Sequence, residues 1–311
     1  MIKQLGEQYE LKRKLSNDSA GDLKKILEAM KNYKSSKEEV EEKGLKGITI
    51  TADLEKSKNI LEAIETNIGF DSKTGLIKYG VGNSDLYSSP NASLGLLYYV
   101  LGEQQKSNEI KNSIETNIGF DSKTGLIKAG VGNSDLYSSP NASLGFLYYV
   151  LGEQQKSNEI KNSIETNIGF DSKTGLIKAW VGDSNLWTHS NASLGLLYYV
   201  LGEQQKSNKI KNSIETNIGF DSKTGLIKYG VGNSDLYSSS NASLGFLYYI
   251  LGEQQKSKGI KNSIETNIGF DSKTGLIKAG IENSNLCTHP NASLGLLYAC
   301  EKFKEILEGK R

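Results

Sequence analysis

The only histidines of this 311-residue chain, His189 and His289, and its only tryptophans, Trp180 and Trp187, fall in two short stretches. These read AWVGDSNLWTHSN from Ala179 and AGIENSNLCTHPN from Ala279, where the comparable stretch from Ala129 reads AGVGNSDLYSSPN. The same stretches carry Asp183 and Glu282, acids that the other copies replace by Asn or Gly. An imidazole titrates near neutral pH and can take or give a proton, and a carboxyl held protonated can work opposite an ionised partner. Asp183, Glu282, His189 and His289 are therefore the candidate catalytic residues, because acid and base roles need unlike groups. The plainer reading is that each histidine replaces a serine at a helix start, where a turn or cap residue belongs. Two imidazoles without a third ligand do not define a zinc site, so no metal is assigned.

Trp180 and Trp187, with Tyr87, Tyr137 and Tyr237, are the candidate ligand-binding residues; Tyr79 and Tyr229 lie in the same loops. Together they would give an aromatic platform on which an apolar ring face stacks, its polar edges held by Asn and Asp. The competing reading is packing between neighbouring loops.

A third candidate is the stretch GFDSKTGLIK, which begins at Gly69, Gly119, Gly169, Gly219 and Gly269. A calcium loop needs oxygen ligands at alternate positions, and here the third and fifth are Lys73 and Gly75, which excludes one. Turn chemistry accounts for the stretch instead: Asp71 accepts from backbone amides, and Gly75 takes the left-handed conformation of a tight β-hairpin-like turn. Asp71, Asp121, Asp171, Asp221 and Asp271 form too symmetric a set to divide acid from base, as glycoside hydrolysis requires. Asp85, Asp135 and Asp235, which become Asn185 and Asn285 in the other copies, read first as turn residues. No Gly-rich phosphate loop, CxxC, HExxH or GxSxG occurs, so no cofactor is assigned.

The elements that must position these residues repeat every 50 residues, as Glu65, Glu115, Glu165, Glu215 and Glu265 of ETNIGFDSKTG show. Ile110, Ile114 and Ile118 make a narrow apolar stripe on an otherwise polar outer helix that stops at Gly119. PNASLGLLYYVLG from Pro90 is apolar nearly all round, as a helix covered on several sides must be. Ser89 is the expected N-cap of this inner helix, with Pro90 at its first position and Gly102 at its stop. A three-isoleucine stripe cannot hold a helical hairpin alone, so neighbouring units must cover it.

The expected fold is all-α: tandem αα-hairpins over residues 57–311, strongly curved or closed into an α/α toroid, with short β-hairpin-like turns in the long loops. Residues 1–56 read as a helical cap, with Leu23, Ile26, Leu27 and Met30 on one stripe behind Ser19; LGEQ at Leu5 echoes LGEQ at Leu101, as a decayed repeat would. All the long loops then share one end, where binding groups concentrate.

Lys and Arg total 37 against 36 Asp and Glu, a formal net charge of +1, so neither nucleic acid nor a membrane is an expected partner. The amino terminus lacks a signal-length apolar run, and a cytoplasmic location is expected. Cys287 and Cys300 read as small buried fillers, and the Asn-Ala-Ser acceptors at Asn91 and its equivalents are set aside without a secretory signal.

GFDSKTGLIK, a Gly-Phe-Asp turn with Gly and apolar residues behind an outer helix, and SPNASLGLLYYVLGE, an Asn-Ala start to an apolar helix ending in Leu-Gly-Glu, carry a resemblance. From Ser57 to the end the chain resembles the α/α-toroid proteins, especially the six-hairpin glycosidase-like group and the related sugar epimerases. The resemblance implies carbohydrate bound in a central funnel, Asp or Glu as acid and base, and aromatics stacked on sugar rings; no catalytic motif transfers residue by residue. Two functions stay open: a carbohydrate-active or carbohydrate-binding toroid with an oligosaccharide or sugar ligand, glycoside hydrolase-like or epimerase-like if an enzyme; or a non-enzymatic repeat scaffold for a protein or peptide.

Overall fold

The computed structural model describes residues 52–307, with side chains from Leu54 to Ala299. Ten helices and no strands occur among the described residues. They are α1 (Ala52–Asn67), α2 (Ser88–Val100), α3 (Gln104–Ser113, prolonged by a π-helical turn at Ile114–Ile118), α4 (Ser138–Val150) and α5 (Gln154–Ser163, with a π-helical turn at Ile164–Ile168). After them come α6 (Thr188–Val200), α7 (Gln204–Asn217), α8 (Ser238–Ile250), α9 (Gln254–Asn267) and α10 (Thr288–Leu307). The expected cap lies outside the described residues but for its last few positions, which begin α1.

The polar helices form as their stripe dictates: in α3 Ile110, Ile114 and Ile118 are buried, while Gln105, Glu109, Asn112 and Thr116 are exposed. Short connections stop the apolar helices. After α2, Glu103 N–H donates to Tyr98 O (2.8 Å) and Gly102 N–H to Tyr99 O (3.0 Å), with Gly102 at φ +84°. This paired closure satisfies two end carbonyls and needs a glycine in the left-handed region.

The apolar helices α2, α4, α6, α8 and α10 pack each on the next, and α10 returns to α2. The polar helices α3, α5, α7 and α9 lie outside α2, α4, α6 and α8, and α1 covers α10 in the same way. The fold is thus an α/α toroid, closed among the described residues over five inner helices, one fewer than in the six-hairpin group that the sequence resembles. The seam repeats the internal joints. Ser57 Oγ donates to Gly295 O as Ser207 Oγ does to Gly195 O, and Lys56 pairs with Glu265 as Lys106 does with Glu65. Such exposed pairs contribute about 0.5 kcal/mol each and mark register more than they stabilise. Inner helices approach closely at glycines: a Cβ on Gly145 would lie 3.0 Å from Leu197 Cδ2.

The long loops fold as turn chemistry predicts. Asp71 Oδ1 accepts from Thr74 N–H (2.9 Å), Thr74 Oγ1 (2.8 Å) and Lys73 N–H (3.2 Å), Gly75 sits at φ +68°, and Phe70 pairs antiparallel with Ile77. Capping differs from the sequence expectation. The N-cap of α2 is Tyr87, with no side-chain cap bond, and Pro90 lies two residues past the first helical position. The next unit's loop does the capping: Ser88 N–H donates to Ala129 O (2.8 Å) and Ser88 Oγ to Lys128 O (2.9 Å). Thr288 closes the circle on Tyr79 O (2.9 Å) and Lys78 O (2.8 Å). Each loop therefore rests over the preceding inner helix.

Candidate functional site

All inner helices start at the loop end, so residues spaced i, i+4 and i+7 from their second position form tiers around the toroid axis. The top tier is Ser89, Ser139, His189, Ser239 and His289; the second is Ser93, Ser143, Ser193, Ser243 and Ser293; the third is Leu96, Phe146, Leu196, Phe246 and Leu296. Contacts across the ring establish the geometry. His189 of α6 meets His289 of α10, ring centroids 4.2 Å apart and edge to face, and Phe146 of α4 stacks with Phe246 of α8 at 6.2 Å. The third tier plugs the bore. Between plug and histidines the serines enclose about 20 Å³, room for about one water.

His189 Nδ1 lies 3.0 Å from Ser243 Oγ, and the Nε2 atoms of both histidines lack a protein hydrogen-bond partner. Burial lowers the pKa of His289 to about 4, and burial together with the neighbouring imidazole takes His189 well below the usual histidine range. Both rings are neutral at pH 7.

Above the histidines opens a cleft of about 420 Å³, walled by Tyr79, Tyr87, Tyr229 and Tyr237 and floored by Ser89, Ser239 and His289. Asn283, Asn285 and Cys287 complete the wall of the fifth unit. Around the remaining rim the aromatics touch in series. Tyr137 and Trp180 (5.2 Å) and Tyr229 and Tyr237 (5.0 Å) lie edge to face, while Trp180 and Trp187 (5.0 Å) and Trp187 and Tyr229 (5.2 Å) are tilted against each other. Tyr79 meets Tyr87 at 5.3 Å. Backbone bridges Tyr137 to Trp180 and Trp187 to Gly230 hold this arc. Burial raises the phenol pKa values of Tyr79 and Tyr229. Tyr87 and Tyr137 hydrogen-bond Asp85 (3.3 Å) and Asp135 (3.4 Å).

The sequence candidates divide into three groups. The histidines meet on the axis, and the tryptophans meet on the rim with Tyr137. Asp183 turns into its own loop, where Oδ1 accepts from Ser184 and Asn185 N–H, and Glu282 is exposed at a loop tip. No group of three or more His, Cys, Asp or Glu among the described residues is placed to hold a metal. Sequence reasoning missed the serine tiers, although serines four apart on an otherwise apolar helix are a signal for a polar stripe facing the axis. It read Asn285 only as a turn residue and did not single out Asn283.

No family model matches the chain, and no curated protein matches it in sequence. Solved structures do match in fold. A family 76 glycoside hydrolase from a bovine Bacteroides thetaiotaomicron strain is 13% identical at a TM-score of 0.55, covering 82% of this chain and 78% of its own. An inactive α-1,6-mannanase variant of Salegentibacter, in complex with α-1,6-mannotriose, is 14% identical at 0.52, covering 82% and 99%. Cellobiose 2-epimerase from Bacillus thermoamylovorans is 14% identical at 0.53, covering 80% and 87%. Likeness at this identity is likeness of fold. No helix of the described residues is long and apolar enough to cross a membrane.

Proposed function

We propose that the loop end of the toroid binds carbohydrate. The observation that carries this reading is the arc of touching aromatics, Tyr137, Trp180, Trp187, Tyr229 and Tyr237, set beside a polar-floored cleft. Ring faces pack on apolar sugar faces, and the Asn283 and Asn285 amides offer donors and acceptors to hydroxyl groups. That carbohydrate-active enzymes share the fold supports the reading by analogy.

Binding is favoured over hydrolysis because hydrolysis needs two carboxylates flanking one bond. Asp183 is engaged in its turn, and Glu282 stands out on a loop tip. Calorimetry with a panel of oligosaccharides that includes α-1,6-mannotriose tests the proposal. At least one should bind, and Trp187→Ala should weaken it about tenfold, or about 1.4 kcal/mol. A panel without binding, or a variant that binds as the wild type does, would end the reading.

The scaffold alternative draws on the exposed ring of Val81, Val131, Val181, Val231 and Ile281, each 40–48% exposed at a loop tip. It calls for a protein partner that Val131→Asp releases in a pull-down.

A further inference from the structure

We infer that the cleft takes an organic ammonium ion, its cationic head held between the pair Tyr79 and Tyr87 and the pair Tyr229 and Tyr237. The inference does not depend on the carbohydrate reading, since a free choline-like amine and an amino sugar both carry such a group. The first observation is shape. Tyr79 stands across Tyr87 at 84° and Tyr229 across Tyr237 at 78°, so each pair makes an aromatic corner. Both corners wall the same cleft. They stand close enough together that, after burial, Tyr237 adds to the raised phenol pKa of Tyr79, and Tyr79 to that of Tyr229. Aromatic rings attract a cation to the negative faces of their quadrupoles, and several rings around one head replace the water it gives up.

The second observation is charge. The lining residues include no Lys or Arg, and burial lowers the pKa of His289 to about 4, so the imidazole is neutral at pH 6.5. Carboxylates stand directly behind the walls: the Tyr87 phenol donates to Asp85 (3.3 Å) and the Tyr237 phenol to Asp235. After burial and the neighbouring phenols, the Asp235 charge also raises the phenol pKa of Tyr229. A potential that resists a phenolate attracts an ammonium. The inner-helix starts below carry about half a positive charge each, and the first amide of each is already bonded to a neighbouring loop, as Ser88 N–H is to Ala129 O. That effect fades beyond the first turn, so at the height of the rings the two full carboxylate charges prevail.

The third observation is a contrast within the chain. Lys56, Lys106, Lys156, Lys206 and Lys256 each lie over one tyrosine of an inner helix, 5.0–5.1 Å from the ring centroid. Among the described residues no side-chain cation lies over the four tyrosines of the cleft. The packed rings receive a cation from the chain itself, and the cleft rings are left open to one from outside.

The test is titration of the full chain at pH 6.5 and low salt, followed by ligand NMR, with choline, its uncharged isostere 3,3-dimethylbutan-1-ol, D-glucosamine and D-glucose. Choline should bind at least tenfold more tightly than the isostere, and the difference should shrink as salt is added. A tenfold preference for glucosamine over glucose without one for choline upholds the ammonium and makes a sugar its carrier. Asp85→Asn combined with Asp235→Asn, which supplies the residue of the third and fifth units, should cut the preference at least threefold. Tyr229→Phe should keep the binding, and Tyr229→Leu should weaken it at least fivefold; equal loss in both overturns the role of the ring. No preference for either charged probe over its neutral partner overturns the inference and leaves the Trp187 test of the carbohydrate reading untouched.

Discussion

His189 and His289 show how two substitutions in a repeat can break its symmetry at one point. Each replaces a top-tier serine, and because the units are two apart in the ring the side chains meet across the axis. Their neutrality carries a pH signature. The folded pKa values lie below the ordinary 6.5, so the unfolded chain binds more protons in between. This part of the stability is fully present above pH 6.5 and is lost as pH falls towards about 4, the His289 value. A shift of that size corresponds to about 3 kcal/mol. The axial chamber below is lined by Ser93, Ser143, Ser193, Ser243, Ser293 and apolar side chains, so no other ionisable group there offsets it. Changing both histidines to serine should therefore narrow the gap between urea midpoints at pH 7 and pH 4.5, the remainder belonging to carboxylates such as Glu153 and Glu203 whose pKa values are lowered by Lys111 and Lys161; an unchanged gap would refute the assignment. At this scale the sequence was informative about difference. The odd residues named the loop end, but their spacing along the chain could not tell that the histidines touch while Asp183 and Glu282 do not. That depends on how far apart two units stand around a ring.

The hairpin Gly69–Lys78 and the inner helix behind it behave as one element because Asn91 joins them. Its Oδ1 accepts from Ile77 N–H (2.8 Å), and its Nδ2 donates to Ile77 O (3.1 Å) and Tyr87 O (2.8 Å), all repeated at Asn141, Asn191, Asn241 and Asn291. These asparagines are fully buried, which explains a fivefold Asn-Ala-Ser without glycosylation. Asn141→Ala leaves the buried Ile127 amide and carbonyl unpaired and should cost about 2–4 kcal/mol in denaturant unfolding. Faster hydrogen exchange at Ile127 should accompany the loss; an unaltered midpoint would show that the hairpin holds itself. Helix types, the hairpin and its Asp71 and Gly75 were readable because local chemistry decides them. The N-cap was misplaced at Ser89 because its work is done by another unit's backbone, which no local pattern records. The isoleucine stripes were readable for the opposite reason, since burial follows the helical period directly.

Across the molecule, closure follows from each unit turning by about a fifth of a circle against the next, since a repeated heterologous contact makes a ring only when its rotation closes. Repetition and layering were legible in the period and in the contrast of polar and apolar helices; the number at which the ring shuts was not, because it lies in packing angles. Deleting residues 102–151 removes one unit and keeps every local joint. The four-unit chain should then expose the faces of α1 and α10 that normally meet and should self-associate in light scattering. A monodisperse monomer with wild-type melting would show instead that the packing angle adapts. The seam has a consequence during synthesis. α1 is made first among the described helices and its cover, α10, last. Until then Ile60, Ile64 and Ile68 lack their final partner, and every inner helix that leaves the ribosome earlier presents nearly the same surface to them. The native ring is thus a choice of the right partner among near-copies, settled only when the last one arrives.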